Sequence, residues 1–238
     1  PNAQNAYLLF DTIDSVSGVI DVDQNARIVT GYTDHRSPRF YFHAELSKSI
    51  AAVEDPEGSG LNKAVRFSTS AGEVVTLKIG TSFLSVDQAR ANLTKEVGEK
   101  SFDEVRDEAA RIWNEALGIV EIEGASDSQK TTFYSNLYRA FMYPNSMWED
   151  VDGTPRYHSP YGGGVKDGLM YVNNGFWDTF RAAWPLYALL VPTQAGRMID
   201  GFVNAYKDGG WTPRWSGPGY IDIMVGSPTI QTAGRRPD

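Results

Sequence analysis

The chain has 238 residues, a formal net charge of −8 and no cysteine. Without cysteine, neither a disulfide framework nor a thiolate metal site can form, so the fold depends on its apolar core. The acidic balance argues against nucleic acid as a partner, because nucleic-acid binders cluster Lys and Arg against the phosphates. The longest apolar stretch, residues 182–191, contains Pro185 and is shorter than the roughly 20 residues that span a bilayer, so no membrane partner is expected.

The first hundred residues alternate apolar and polar side chains in short runs, which predicts β-strands with one buried face. Pro and Gly at residues 55–60 predict a loop. Short strands at this spacing are typical of an antiparallel sandwich. The predicted strands cover residues 6–10, 18–22, 39–45 and 74–79.

From Ser101 onward the apolar period becomes helical. Ser101 and Glu104 have the spacing of a capping box, in which each side chain satisfies a backbone N–H at the start of a helix. Gly118 is the predicted end of this helix, and a short strand is predicted at 119–122. Further helices are predicted from Ser126 to a point before Pro144, over residues 178–190 and over residues 192–207, the last with Pro192 in its first turn.

Several polar groups have patterns that favour a structural role. The three histidines stand in unrelated segments without the spacing of metal ligands. The acidic cluster at 149–152 lacks the ligand ladder of an EF-hand and is typical of a solvated turn. The glycines at 162–164 indicate a loop, since no capped helix follows them as in a phosphate-binding loop. The histidines are His35, His43 and His158.

Two Gly-rich segments, 173–181 and 211–220, place tryptophan beside a charged side chain. A sugar site needs both, because the aromatic face packs on the C–H surface of the ring and the charged group hydrogen bonds the hydroxyls. The alternative is structural: Asp178 caps a helix and Trp177 belongs to the core. The residues alone leave both interpretations open.

Residues 174–186 resemble the Gly-x-Trp-Asp-Thr-x-Arg-Thr-x-x-Pro-Leu signature of glycoside hydrolase family 92, which contains calcium-dependent exo-acting α-mannosidases. Residues 133–139 are similar to the family's Phe-Tyr-x-x-Leu-Tyr-Arg motif. The resemblance extends from about residue 30 to about residue 227. Other matching segments are 40–48, 113–117 and 150–153.

The resemblance implies a multidomain chain, β then α. An antiparallel β-sandwich of the galactose-mutarotase-like type would occupy residues 1–95 and lack its first strands. A linker helix and strand would follow over 96–125, and the start of an (α/α)6 toroid, the catalytic domain, over 126–238.

The resemblance also implies a function. The chain would be a fragment of an inverting exo-α-mannosidase that hydrolyses terminal α-mannosides of N-glycans or mannans, secreted or periplasmic, with calcium as cofactor. Inversion requires two carboxyls about 6.5–9.5 Å apart. In the family these carboxyls and most calcium ligands follow the segments matched here, so we expect no catalytic and no metal residue in this chain. The substrate-binding residues implied are Trp177, Asp178, Trp211, Arg214 and Trp215.

The sequence departs from the family in two places. Residues 216–219 stand where the commonest α-1,2-mannosidases have a glutamate after the second tryptophan, so the linkage stays open and includes mannosyl-phosphate. Residues 228–238 do not continue as a toroid helix, which a truncated or frame-shifted product would explain. Two alternative functions remain, a non-catalytic carbohydrate-binding fragment and a six-hairpin glycosidase of other specificity.

Overall fold

The computed structural model describes residues 6–11, 17–34, 38–56, 61–221 and 223–224. The chain divides into two compact units, Pro1–Glu99 and Lys100–Asp238. Three parts of the chain to which sequence predictions apply lie outside the described residues: His35, most of the predicted loop at 55–60, and the segment 228–238.

The first unit contains two antiparallel sheets. One has the strand order β1-β6-β5 and the other β2-β3-β4-β7. The four predicted strands correspond to β1, β2, β4 and β7, the last beginning three residues later than predicted, whereas β3, β5 and β6 were not predicted. The bounds are β1 Ala6–Asp11, β2 Gly18–Asp23, β3 Ile28–Thr33, β4 Phe40–Leu46, β5 Ala52–Glu54, β6 Asn62–Phe67 and β7 Leu77–Ser82.

The core of this unit lies between the two sheets. Val65 and Phe67 of β6 pack in one cluster with Val29 of β3 and with Ala44 and Leu46 of β4. Burial of these side chains removes apolar surface from water, which is the main term that stabilises such a sandwich. The predicted antiparallel sandwich is therefore confirmed.

A helix that was not predicted, α1 (Val86–Glu96), packs on β4 and β7. Ser85 caps it by accepting a hydrogen bond from the Gln88 N–H at 3.0 Å. Gly80 of β7 permits the close approach, because an added Cβ would lie 2.1 Å from the Ala89 carbonyl oxygen. On β4, His43 is buried and its Nε2 lies 3.1 Å from Glu45 Oε1.

The second unit is mainly helical. Its first helix begins with the capping box that the sequence predicts, and its second helix begins at Ser126 with a capping box that was not predicted. Glu104 accepts a hydrogen bond from the Ser101 backbone N–H at 2.8 Å, and Ser126 and Gln129 form the same motif. None of the described helices combines the length and apolar character needed to cross a membrane. The helices are α2 Phe102–Leu117, α3 Asp127–Phe141, α4 Phe176–Thr179, α5 Ala183–Leu190 and α6 Pro192–Gly209.

Two predictions in this unit are wrong. Residues 119–122 form turn and irregular chain instead of a strand, because the Val120 carbonyl accepts a hydrogen bond from the Tyr134 hydroxyl instead of pairing in a ladder. The helix predicted at 178–190 is two helices, α4 and α5. Pro185 explains the break. It has no N–H to bond the carbonyl four residues earlier, so it interrupts a continuous helix, whereas in the first turn of α5 no such hydrogen bond is needed.

Five short strands lie between α3 and α4, in sheets of order β11-β10-β9 and β12-β8. Asp152 and Gly153, both with positive φ, form the tight turn between β9 and β10, and Asp150 Oδ1 accepts from the Gly153 N–H at 2.7 Å. The acidic cluster is therefore a hairpin turn, as predicted. The strands are β8 Asn145–Ser146, β9 Glu149–Val151, β10 Thr154–His158, β11 Val165–Asp167 and β12 Tyr171–Val172.

Helix α6 is apolar on two faces. Met198 and Phe202 lie in the buried cluster of the unit, where the Phe202 ring contacts Phe176 edge to face at 5.0 Å. Ile199 and Val203, on another side of the helix, are exposed, Ile199 by 51%. An exposed apolar stripe of this kind favours association, because burying it removes apolar surface from water.

We expect this chain to self-associate through the exposed stripe of α6. Light scattering after size-exclusion chromatography should give a mass above the monomer value of 26.3 kDa. The variant Ile199→Glu should lower the measured mass, whereas Thr193→Glu, which adds the same charge at another exposed position of α6, should not. A sharp monomer peak for the unaltered chain would contradict this prediction.

Candidate active site

The structure contradicts the structural interpretation of Trp177 and Asp178. Gly175 is the N-cap of α4, and Asp178 lies in its first turn without a capping hydrogen bond. Trp177 is 60% exposed. Asp178 is therefore not a helix cap and Trp177 does not belong to the core, so the structural interpretation of this pair is wrong.

A pair of backbone hydrogen bonds joins the segment before α4 to the loop after α6. The Asn174 N–H donates to the Ser216 carbonyl at 3.0 Å, and the Ser216 N–H donates to the Asn174 carbonyl at 2.9 Å. Both residues are fully buried. This bridge, which we call the 174–216 bridge, fixes Trp215 beside Gly175.

Asp178 and Trp215 converge on one side of Gly175. A Cβ added at Gly175 would lie 2.2 Å from Asp178 Oδ2 and 2.8 Å from Trp215 Nε1. Within the described residues, neither the carboxylate nor the indole N–H has a hydrogen-bond partner in the protein. The site therefore presents an acceptor and a donor side by side, which is the pair that a sugar hydroxyl needs.

Trp211 and Arg214 lie on the same loop as Trp215. The Trp211 ring is partly exposed, and its carbonyl accepts a hydrogen bond from the Tyr220 hydroxyl at 2.7 Å. Arg214 Nη1 donates to the Met224 carbonyl at 2.5 Å, so its guanidinium braces the end of the loop. The structure thus brings Asp178 and Trp215 together and ties Arg214 to the following segment.

A partly buried tyrosine that sequence reasoning missed supports this loop. The Tyr161 hydroxyl donates to the Gly217 carbonyl at 2.8 Å, and its ring packs against Tyr220 with centroids 4.9 Å apart. Burial raises the pKa of Tyr161 to about 12. The only local signal was the run of glycines at 162–164, which marks the loop but not its partner.

Side-chain contacts of Asp208 also hold the end of α6, where the loop begins. Asp208 is buried, and its carboxylate accepts hydrogen bonds from the Tyr157 hydroxyl at 3.0 Å and from Lys166 Nζ at 2.6 Å. A carboxylate in the last turn opposes the helix dipole, so these partners are what make Asp208 tolerable there. Burial and the neighbouring carboxylate raise the pKa of Tyr157.

A separate cavity of about 570 Å³ lies where α2 and α3 end beside α5 and α6. Most of its lining is apolar, and Gln194 Nε2 donates to the Tyr171 hydroxyl at 2.8 Å on its wall. None of the five predicted substrate-binding residues lines it. Because no group of charged side chains converges on this cavity, it is not assigned to the candidate site.

The described residues do not fit a calcium site by themselves. Calcium takes six to eight oxygen ligands, mostly from carboxylates and carbonyls. In the part of the chain that the structure describes, no three His, Asp or Glu side chains are grouped as metal ligands.

Comparison with known proteins identifies the family. Residues 88–233, more than half of the chain, match the model of the glycosyl hydrolase family 92 catalytic domain. The chain belongs to glycoside hydrolase family 92. The resemblance of residues 174–186 to the family signature is thereby confirmed.

Solved structures of family 92 enzymes share this fold. An inverting mannosidase of Bacteroides thetaiotaomicron superposes with a TM-score of 0.88 at 33% identity, covering 97% of this chain and 34% of that chain. An α-mannosidase of the same bacterium, also solved in complex with mannoimidazole, gives a TM-score of 0.82 at 24% identity, covering 97% of this chain and about 35% of that chain. The predicted order, a β-sandwich followed by the start of a helical domain, is confirmed.

A curated relative from the fungus Arthroderma benhamiae is described as an uncharacterized secreted glycosidase. It is 33% identical over 88 aligned residues, which cover 33% of this chain and 11% of the relative. The chain thus spans about a third of the length of the solved relatives and a smaller part of the curated one.

Removing the Asp208 carboxylate should destabilise the second unit. Asp208→Ala leaves the buried Tyr157 hydroxyl without its acceptor, which costs about 2 kcal/mol of unfolding free energy. Lys166→Ala should cost less, because the Asp208 carboxylate keeps the Tyr157 hydroxyl as a donor and the pair with Lys166 is partly exposed. Urea unfolding of the two variants measures the difference, and equal losses would contradict it.

Alkaline pH should loosen the loop at 211–221 through Tyr161. Its pKa is raised from 10.0 to about 12 in the folded chain, so the folded state retains the proton that the unfolded state loses. This contribution to stability is complete below pH 10 and is lost as the pH rises through 12. Urea unfolding from pH 9 to pH 12 should therefore show a steeper loss for the unaltered chain than for Tyr161→Phe. Parallel curves would contradict the assignment.

Proposed function

We propose that this chain is the N-terminal portion of an inverting exo-α-mannosidase. The observation that carries the proposal is the convergence of Asp178 Oδ2 and Trp215 Nε1 beside Gly175, next to the exposed ring of Trp177. Membership of family 92 and the 33% identity to an inverting mannosidase support the same activity. The substrate class is a terminal α-mannoside of an N-glycan or a mannan.

The proposed binding mode follows from the groups present. The face of Trp177 packs against the C–H surface of the terminal mannose, and the Asp178 carboxylate accepts a hydrogen bond from one of its hydroxyls. The Trp215 indole N–H donates to a hydroxyl oxygen. Trp211 and Arg214, on the same loop as Trp215, are proposed to complete the substrate-binding set, and Arg214 also holds the loop through the Met224 carbonyl.

The catalytic pair is proposed to lie outside this chain. An inverting enzyme needs a general acid and a general base about 6.5–9.5 Å apart, with a water between the base and the sugar. The coverage of 34% of the solved inverting mannosidase supports a longer parent protein that supplies both carboxyls and the calcium ligands. Calcium would then be a cofactor of that parent.

The proposed location is secreted or periplasmic. The curated relative is described as secreted, and a mannosidase that acts on N-glycans or mannans needs access to substrates outside the cytoplasm. The linkage that is cleaved, including mannosyl-phosphate, depends on residues 216–219 and on the rest of the pocket.

A non-catalytic carbohydrate-binding fragment is the second candidate. The observation that favours it is that the described residues hold a donor and an acceptor for a hydroxyl. Calorimetry of this chain with mannose and mannobiose separates the two candidates, because a module that functions alone should bind measurably, whereas an incomplete pocket should not.

The activity is tested on the parent protein. We expect it to hydrolyse aryl α-mannosides, to lose activity in EDTA and to regain it with calcium, while the chain alone is inactive. Asp178→Asn should lower kcat/KM about 10- to 100-fold, the loss expected for a hydrogen bond to a charged group.

Asp152→Asn is the matched control. It removes the same charge at the hairpin turn between β9 and β10, where asparagine also tolerates positive φ, so the activity should stay within twofold of the unaltered protein. Activity that resists EDTA, or equal losses in the two variants, would count against the proposal.

A further inference from the structure

We propose that Gly175 is a positioning residue of the sugar site: its missing side chain lets Asp178 and Trp215 approach so closely that one sugar hydroxyl is held by both. This inference rests on the proposed function, since it assigns the geometry of the same site. Asp178 Oδ2 and Trp215 Nε1 both lie within 2.8 Å of the position that a Cβ of residue 175 would take. They are therefore close enough for a single oxygen to accept from the indole and donate to the carboxylate.

Glycine at this position is required for space and not for backbone freedom. The dihedral angles of Gly175 are φ −83° and ψ 100°, which any L-residue adopts. An alanine would keep this backbone but place its Cβ 2.2 Å from Asp178 Oδ2. One of the two polar groups then has to move.

The group that moves is Asp178. Trp215 is a rigid indole confined on its other side, since Cζ3 lies 3.5 Å from the Cβ position of Gly217 and Ile221 Cδ1 closes the same space. The 174–216 bridge also fixes the backbone next to Trp215. The Asp178 carboxylate is the end of a flexible side chain in the exposed first turn of α4, so it rotates away while the fold is retained.

Asn174 and Thr179 hold the backbone beside Gly175. The Asn174 side chain is 1% exposed, and its Oδ1 lies 3.4 Å from Thr179 Oγ1. Thr179 Oγ1 donates to the Gly175 carbonyl at 2.8 Å. Together with the 174–216 bridge, these contacts fix the position of Gly175.

The test compares two glycine variants in the parent protein. Gly175→Ala should lower kcat/KM for an aryl α-mannoside about 10-fold or more, with an unchanged unfolding temperature, because only the position of Asp178 changes. Gly196→Ala is the matched control: Gly196 lies in α6, and nothing is found within 4 Å of its added Cβ. It should leave kcat/KM unchanged and raise the unfolding temperature slightly, because alanine is a better helix former than glycine. A Gly175→Ala enzyme within twofold of the unaltered one would overturn the proposal.

Double variants test whether Gly175 acts through Asp178. In the Asp178→Asn background, Gly175→Ala should cause little further loss, whereas additive losses would overturn the positioning role. If Gly175→Ala does not fold, the test uses the single variants Asp178→Asn and Trp215→Phe and their double variant. A shared hydroxyl predicts that their losses are not additive, and additive losses would overturn it.

Fluorine NMR of this chain separates the inference from the proposed activity. With 5-fluorotryptophan incorporated, the Trp215 signal is assigned from Trp215→Phe. Asp178→Asn should shift this signal in the unaltered chain and in Gly196→Ala, and much less in Gly175→Ala. The shift is expected even in a parent without mannosidase activity, in which case the proposed function fails and the geometry stands. An equal shift in all backgrounds would overturn the positioning role.

Discussion

The candidate site depends on the 174–216 bridge. Two backbone hydrogen bonds join the segment before α4 to the loop after α6, and they leave each neighbouring side chain free for another use. Because these bonds are made by the main chain at Asn174 and Ser216, they place Gly175 and Trp215 beside one another without using the side chain of either residue. The exposed Trp177 and the unpartnered Asp178 follow in the next turn.

Local signals were read correctly from the sequence, and distant contacts were not. The capping box at Ser101 involves residues three apart, so its spacing reveals it, and Ser126 was predicted as the start of the next helix. The alternation in Ile119–Ile122 predicted a strand, but a strand also needs a partner, and the Tyr134 hydroxyl takes the carbonyl of Val120 instead. Helix α1 was not predicted, because only two of its residues, Ala89 and Leu93, are buried, and two are too few to show a helical period.

For the site residues, too, the sequence gives local information but not the distant contacts. The resemblance of residues 174–186 to the family signature points to Trp177 and Asp178, but their sequence alone is equally consistent with a capped, buried helix start. Burial and capping, which argue against a capped and buried helix start, depend on Gly175 and on a loop that lies far away in the sequence. Tyr161 and Asp208 support that loop from other segments, so no motif could have identified them.

Hydrogen bonding within the chain distinguishes the residues that support the loop from the residues of the candidate site. Asp208, Tyr157 and Tyr161 are buried or partly buried, and each is hydrogen bonded within the chain, as polar groups that stabilise a fold must be. Within the described residues, Asp178 and the indole N–H of Trp215 have no such partner, although both lie within 2.8 Å of the position that a Cβ of Gly175 would take. An exposed carboxylate and an indole N–H on one side of Gly175 form the acceptor and donor that the proposed sugar site needs for one hydroxyl.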